Sequence, residues 1–164
     1  MADAETAGRG ATAPWLNVAR GDYSISTDPR RLDVTAIHEF LATSYWAEGI
    51  GRELVARALD GSLCFGLYHG AVQVGLARVV TDRATFAYLC DVYVLTPHRG
   101  HGLGEWLIET VMSHPDLQGL RRFSLVTRDA QALYRKFGFT EVVAEGRHMD
   151  LARPGIYLEK AASS

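Results

Sequence analysis

A long apolar segment that runs through a glycine-rich loop into a helix constrains the fold of this chain more than any other feature. Residues 85–95 form the most apolar strand-like run, in which Asp91 is the only charged side chain. Thr96 and Pro97 end that run, glycines follow at positions 100, 102 and 104, and an amphipathic helix is predicted over 103–113. Glycine permits a tight turn and close approach of a ligand, and a helix start offers unpaired N–H groups. The segment therefore predicts an anion-binding turn inside an α/β domain.

The segments around this turn alternate between strand-like and helix-like patterns. Apolar–polar alternation between turn residues predicts strands over 23–27, 62–68, 71–81, 85–95, 122–127, 140–144 and 148–151. Helices are predicted after the N-cap Asp33, over 51–59, over 103–113, and from the N-cap Asp129 to Phe137, with Gly138 closing the last one. Hairpin-type connections after 62–68 and 71–81 favour antiparallel pairing. The order predicts a mixed α/β sheet with helices on its faces.

The chain of 164 residues is predicted to form one domain between two tails. Residues 1–19 are small, polar and rich in Gly, Ala and Thr, which favours a flexible N-terminal tail whose end can dock on the domain. The domain is expected over 20–158, and residues 159–164 are expected to form a C-terminal tail. A basic start followed by an apolar run is absent, so no secretory signal is expected, and no run is long enough to predict a membrane span.

Charge and cysteine content narrow the classes of partner. The formal net charge is −2, so no basic face for nucleic acid is expected. Cys64 and Cys90 lie inside apolar strand-like runs, which predicts buried, reduced thiols in a cytoplasmic protein. No Cys or His pair has the spacing of zinc ligands, so no metal is expected. The sequence thus predicts no nucleic-acid partner and no membrane partner, and it leaves a homodimer open.

The spacing of the glycine loop distinguishes three phosphate-binding patterns. A dinucleotide-binding fingerprint needs a glycine three residues after Gly102, where this chain has Glu105. A nucleoside-triphosphate loop needs Gly-Lys-Ser/Thr, whereas Glu105 and Trp106 follow Gly104. The pattern that fits is Arg/Gln-x-x-Gly-x-Gly/Ala, formed by Arg99, Gly102 and Gly104. This loop resembles the coenzyme A loop of the GCN5-related N-acetyltransferase (GNAT) family.

A second segment carries the same resemblance. The run 130–139 is similar to the other signature of that family, with an alanine, the Leu133–Tyr134 pair and a Gly-Phe pair in that order. Tyr134 follows Arg99 by about thirty-five residues, as the family pattern requires. The resemblance covers about residues 22–151 in element order and is motif-specific over 85–139.

Two positions depart from the pattern of the family. The run 88–94 looks like members that acetylate polyamines and similar small amines, which usually carry two adjacent acids, but here Cys90 precedes Asp91. Thr127 stands where an asparagine is usual before the tyrosine helix. Cys90 changes a position that the resemblance places near the acceptor amine. Thr127 changes one of the contacts that the resemblance implies with the cofactor.

The resemblance implies a fold, a co-substrate and a set of binding residues. The implied fold is the GNAT fold, a central, mostly antiparallel twisted sheet of about six or seven strands, splayed at the cofactor site and flanked by about four helices. The implied co-substrate is acetyl-CoA. The residues placed at it are Tyr93, Val94, Arg99, Gly100, His101, Gly102, Leu103, Gly104, Glu105 and Thr127.

The chemistry implied by the resemblance is direct attack of a neutral amine on the thioester, with no acyl-enzyme. Tyr134 is expected to donate a hydrogen bond to the leaving thiolate, and a backbone N–H near Val94 is expected to receive the developing oxyanion. Asp91 is the candidate general base. Two alternatives for Asp91 stay open, namely a structural ion pair, for instance with Arg78, and an anchor for a cationic substrate.

Tyr45 and Trp46 are the candidate acceptor-binding residues. They lie in the predicted loop 44–49, which lines the acceptor pocket in the family. Aromatic rings there can enclose an amine through cation–π contact, or they can simply pack the loop.

The function expected from these features is an acetyl-CoA-dependent N-acetyltransferase acting on a primary amine of a small molecule. Acetylation of a protein or peptide amine and non-catalytic sensing of acyl-CoA are the alternatives. A third alternative is that the glycine loop binds a mononucleotide. In that case ATP or NAD, rather than CoA, should stabilise the protein.

Overall fold

The computed structural model describes residues 15–142 and 146–163, and its centre is a six-stranded sheet. The strands lie side by side in chain order: β1 Asn17–Arg20, β2 Tyr23–Ser26, β3 Leu63–His69, β4 Val72–Thr81, β5 Phe86–Val94 and β6 Arg122–Leu125. All neighbouring pairs are antiparallel except β5 and β6, which are parallel. The mixed, mostly antiparallel sheet predicted from the sequence is confirmed.

Five α-helices flank the sheet within the described residues. They are α1 Val34–Leu41, α2 Arg52–Asp60, α3 Leu103–Met112, α4 Gln131–Arg135 and α5 Ile156–Ala162. The Asp33 side chain accepts a hydrogen bond from the Ala36 N–H, so the predicted N-cap of α1 is confirmed. At α4 the predicted cap is wrong, because Ala130 is the N-cap residue and Asp129 instead pairs with Arg128 at 3.6 Å. None of the helices in this part of the chain is long and apolar enough to cross a bilayer.

The sheet divides the buried side chains into two cores, and β-strand alternation explains the division. Leu63, Phe65 and Leu67 of β3 face the core that contains α3 and Tyr134. Cys64, between them, faces the other core, which contains α1 and α2. Each face of the sheet is therefore covered by a different group of helices.

Strands β5 and β6 separate half-way along β5. Pairing runs from Phe86 opposite Arg122 to Leu89 opposite Leu125, and β6 ends there. Residues 90–94 of β5 continue beyond β6 without a partner from it. The splayed sheet expected from the sequence is therefore present, and its opening lies beside the glycine loop.

The predicted strands near the C-terminus are wrong. Residues 140–142 and 148–151 form no strand, and residues 143–145 lie outside the described residues. Val142, Met149 and Leu151 are 76%, 90% and 80% exposed. Their apolar alternation therefore meets no neighbouring surface, and a strand without a partner or a covered face gains little from burial.

Both ends of the predicted domain contain regular structure that the sequence reading assigned to tails. Asn17–Arg20, inside the predicted N-terminal tail, pairs with β2 as the edge strand β1. The Leu16 N–H also donates to the Thr27 hydroxyl at 2.9 Å. At the other end, Ile156–Ala162 forms α5 after Gly155, which adopts a left-handed conformation with φ of +78°. Residues 1–14 lie outside the described part.

Candidate active site

A β-bulge in β5 turns Asp91 toward the face of the sheet that carries α1 and α2. The register shifts between Leu76 and Arg78 of β4, so Asp91 and Val92 together lie opposite one β4 residue. Asp91 has φ of +51°, a left-handed conformation that costs a non-glycine residue about 1–2 kcal/mol. Cys90 and Asp91 consequently line one cavity although they are consecutive, while Val92 packs on the opposite core.

The Asp91 carboxylate is held from both of its oxygens. Arg78 Nε donates to Oδ2 at 2.6 Å, and Trp46 Nε1 donates to Oδ1 at 2.9 Å. The side chains of Asp91 and Arg78 are only 10% and 18% exposed. Burial alone would lower the pKa of Arg78 and is the largest single influence on it, but the charge of Asp91, its hydrogen bond and the two neighbouring cysteines together raise that pKa. The ion pair that the sequence left open as one role of Asp91 is therefore formed.

The space enclosed between the β5 bulge, α1 and α2, here called the bulge cavity, has a volume of about 320 Å³. Apolar side chains of α1, α2 and the loop between them form one wall: Leu41, Ala47, Ile50, Leu54, Val55 and Leu59. Arg78, Cys90 and Asp91 form the opposite wall. Among the described residues that line it, Arg78 and Asp91 are the only charged ones, and their charges cancel.

Aromatic side chains complete the bulge cavity, and one of them was missed by sequence reasoning. Trp46, Tyr88 and Tyr157 all line it. Tyr157 comes from α5, whose neighbouring residue Leu158 packs so closely on the α1–α2 loop that a Cβ at Gly49 would lie 2.8 Å from its Cδ2. The signal in the sequence is the triplet Ile156–Leu158 directly after Pro154–Gly155, a pair that is typical of a turn between two elements.

Cys90 lines the bulge cavity but is a poor nucleophile. Burial raises the pKa of its thiol to about 12. At pH 7 about one molecule in 10⁵ carries the thiolate. Burial has the same effect on Cys64, whose pKa is also raised to about 12. Both thiols are free, Cys64 buried and Cys90 half-buried, which agrees with the sequence expectation for Cys64 and in part for Cys90.

The glycine loop presents bare backbone to open space at the start of α3. Gly100 and Gly102 have φ of +84° and +70°, a region that glycine occupies without strain. A Cβ built on Gly100, Gly102 or Gly104 would meet nothing within 4 Å, so the surface here is open to an approaching ligand. Leu103, by contrast, is buried in the core and fixes the first turn of the helix.

The side chains around the loop mostly stabilise its shape. Arg99 Nε donates to the Val94 carbonyl at 2.8 Å, which ties the loop to the end of β5. His101 Nδ1 lies 3.2 Å from the His98 carbonyl oxygen, which links two residues of the same loop.

Glu105, Thr127 and Tyr93 also have structural partners. Glu105 pairs with Lys136 at 2.7 Å and so links α3 to the turn after α4. The Thr127 hydroxyl accepts from the Ala130 N–H at 3.0 Å, which satisfies the start of α4. Tyr93 is 7% exposed and stacks on Phe40 with ring centroids 3.8 Å apart.

Tyr134 is buried on α4 with its hydroxyl free of partners among the described residues. It is 8% exposed and packs edge-on against Phe139. Burial, with a smaller effect from the neighbouring Tyr45, raises the pKa of Tyr134. The hydroxyl therefore keeps its proton at neutral pH and remains available as a donor.

Tyr45 and Trp46 differ in what they contact. Tyr45 is 54% exposed, and the Arg128 guanidinium lies 3.9 Å above its ring, so a protein cation already covers one face. Trp46 packs edge-on against Tyr45 and donates to Asp91. Trp46 therefore fixes the α1–α2 loop to the β5 bulge.

A splayed mixed sheet, a glycine turn at its opening and an adjacent cavity are together the arrangement expected of an acyltransferase. The family model described as "Acetyltransferase (GNAT) domain" matches residues 60–141 of the chain. The chain belongs to the GNAT family and is an N-acetyltransferase, as the two sequence motifs predicted.

Individual relatives agree with that assignment. A Gibberella zeae protein named as a presumed acetyltransferase is 38% identical over 143 residues, which covers 73% of this chain and 80% of the relative. The crystal structure of a GNAT-family protein from Xanthomonas campestris pv. campestris is 50% identical, has a TM-score of 0.81, and covers 82% of this chain and 96% of its own. An acetyltransferase from Clostridium acetobutylicum, solved with acetyl-CoA, shares the fold at 14% identity with a TM-score of 0.58, covering 79% and 94% of the two chains.

Proposed function

We propose that this N-acetyltransferase uses acetyl-CoA to acetylate a primary amine of a small molecule by direct attack. The observation that carries the proposal is the arrangement along β5, where the bulge cavity opens at Asp91 and the strand runs on into the glycine loop. One continuous strand thus connects a space for an acceptor with a surface for a phosphate-bearing donor.

The glycine loop fits the diphosphate of acetyl-CoA. Its bare backbone at Gly100, Gly102 and Gly104 leaves room for close approach. The N-terminus of α3, a helix of 10 residues, adds unpaired N–H groups and the positive end of its dipole. When bound there, acetyl-CoA would supply the activated acetyl thioester. Arg99 would add a cation at the rim of the site.

The acceptor amine would enter the bulge cavity and meet Asp91. An alkyl amine with a pKa near 10 is neutral in only about one molecule in a thousand at pH 7, a cost of about 4 kcal/mol. Asp91, paired with Arg78, would accept a hydrogen bond from the ammonium and pass its surplus proton toward solvent. The nitrogen then attacks the thioester carbon, and the C–S bond breaks.

Tyr134 would stabilise the departing thiolate. Its hydroxyl has no partner among the described residues and its pKa is raised, so it is protonated and able to donate. Cys90 is unsuited to an acyl-enzyme because its thiol is almost wholly protonated at neutral pH. These two properties favour direct transfer.

The dimensions of the bulge cavity favour a small acceptor. Its volume of about 320 Å³ is at the lower end of the range of about 300–1,000 Å³ for small-molecule pockets.

The proposal also includes a cytoplasmic location, which agrees with two free cysteines.

A thiol-release assay tests the proposal. Purified protein is incubated with acetyl-CoA and a panel of primary amines, with a blank that lacks acceptor to measure hydrolysis. We expect acceptor-dependent release of CoA and a mass increase of one acetyl group on at least one amine. Stabilisation by CoA in a thermal-shift titration without turnover of any amine would instead indicate a non-catalytic acyl-CoA sensor.

A further inference from the structure

The wall of the bulge cavity opposite α1 and α2 contains a guanidinium with an unused edge. Arg78 donates from Nε to Asp91 and from Nη1 to the Ser62 hydroxyl at 3.0 Å. Its Nη2 has no hydrogen-bond partner among the described residues. Nη2 is also not fully buried, because the Tyr68 hydroxyl is the only fully buried, unpaired polar side-chain atom in this part of the chain. Arg78 lines the cavity, so Nη2, the guanidinium nitrogen without a described partner, is the donor that we assign to an oxygen atom inside it.

Beside that edge lies a carboxylate with unused acceptor capacity. Each oxygen of Asp91 accepts one hydrogen bond, from Trp46 and from Arg78. An ionised carboxylate has about four acceptor positions, so a ligand N–H can still be accommodated. The cavity therefore offers one donor edge and one acceptor edge at a single ion pair.

The charges of the cavity match a zwitterion better than a cation. A polyamine would bring several positive charges to a wall whose single carboxylate is already neutralised by Arg78. A ligand with one ammonium and one carboxylate keeps the local charge at zero and satisfies both edges.

The closeness of the two edges limits the separation of the ligand groups. Arg78 Nε and Asp91 Oδ2 are 2.6 Å apart, so an amine on Asp91 and a carboxylate on Arg78 must also lie close together. An α-amino acid has this spacing. The wall formed by Leu41, Ile50 and Val55 would then contact its side chain, which favours an apolar one.

We propose that the acceptor is an α-amino acid with an apolar side chain, whose carboxylate binds Arg78 and whose amine binds Asp91. This inference rests on the proposed acetyltransferase function and specifies its substrate class.

Four matched amines test the inference: leucine, leucinamide, 3-methylbutylamine and spermidine. Leucinamide replaces the carboxylate of leucine with a neutral amide, and 3-methylbutylamine removes it. We expect leucine to have a KM at least ten-fold lower than that of each of the others. Calorimetric titration in the presence of CoA should show the same order of affinity, independently of turnover.

An Arg78→Lys variant tests the role of the guanidinium. Lysine retains the charge opposite Asp91 but lacks the second edge of the fork. We expect the affinity for leucine to fall at least ten-fold and that for 3-methylbutylamine to change less than three-fold. The calorimetric comparison on the unaltered protein keeps the test valid if the variant does not fold.

The outcomes separate the two proposals. Turnover of 3-methylbutylamine, leucinamide or spermidine with a KM equal to or below that of leucine would overturn the amino-acid inference and leave the acetyltransferase proposal standing. Binding of CoA with no turnover of any amine would overturn both.

Discussion

The two halves of the candidate site are built in different ways. The glycine loop is one continuous segment, 99–104, whose shape depends on backbone conformations that glycine adopts without strain. The bulge cavity is assembled by side chains from α1, α2, β4, β5 and α5, which are far apart in the chain. A site made of local backbone can be recognised in a sequence, whereas a site made of distant side chains depends on packing. We call the glycine loop the donor half of the site and the bulge cavity the acceptor half. Mutations are therefore expected to impair one half without impairing the other.

Tyr134 lies outside this division, and its change should have the largest effect. Tyr134→Phe removes the hydroxyl that we propose to stabilise the leaving thiolate by a hydrogen bond. We therefore expect kcat to fall about 100-fold, with little change in the KM of acetyl-CoA or of the acceptor. Melting temperature should hold, because the hydroxyl has no partner among the described residues and the ring still packs on Phe139.

Tyr68→Phe is the matched control for that variant. Tyr68 is also a buried tyrosine with an unpartnered hydroxyl, but it lies outside the lining of the bulge cavity. Its activity should stay unchanged, and its stability should not fall, because an unsatisfied buried hydroxyl is removed. Equal kcat for the unaltered protein and Tyr134→Phe would exclude Tyr134 from the reaction.

The pH dependence of kcat gives a second test of Tyr134. Because burial raises its pKa, the donor form persists above pH 10, the ordinary midpoint of a tyrosine. No loss of kcat assignable to this hydroxyl is therefore expected as pH rises from 7 to 10. A loss with a midpoint below pH 9 that disappears in Tyr134→Phe would contradict the assigned environment.

Gly102→Val should damage the donor half alone. Gly102 has φ of +70°, where a β-branched residue is strained, and its new side chain would occupy the open surface of the loop. We expect affinity for CoA to fall about 30-fold in calorimetry, with an unchanged KM for the acceptor in saturating acetyl-CoA. Gly119→Val has comparable strain at φ of +67° and should lose stability without losing CoA affinity.

Trp46→Phe should affect the acceptor half alone, and by the smallest amount. The change removes the hydrogen bond to Asp91 but retains an aromatic ring, so the KM of the acceptor should rise about five-fold. Trp15→Phe is a suitable control, since Trp15 is equally exposed at 40%. A larger effect on CoA affinity than on acceptor KM would show that the two halves are coupled.

The same contrast explains how far the sequence could predict this molecule. The strand, the loop and α3 were predicted because glycine spacing and helical periodicity are local signals, as was the splay of the sheet through family resemblance. The bulge at Asp91 was not, because it depends on register against β4. Tyr157 was missed because its role depends on the docking of α5 on the α1–α2 loop. The strands predicted at 140–144 and 148–151 failed because apolar alternation alone supplies no partner.

Calorimetric comparison of CoA with pantetheine, its fragment without the diphosphate and nucleotide, tests the central claim most directly. If the backbone at Gly100–Gly104 binds the diphosphate, CoA should bind at least 100-fold more tightly than pantetheine, and Gly102→Val should reduce that ratio. Equal affinities for CoA and pantetheine, or a ratio that Gly102→Val leaves unaltered, would contradict the account.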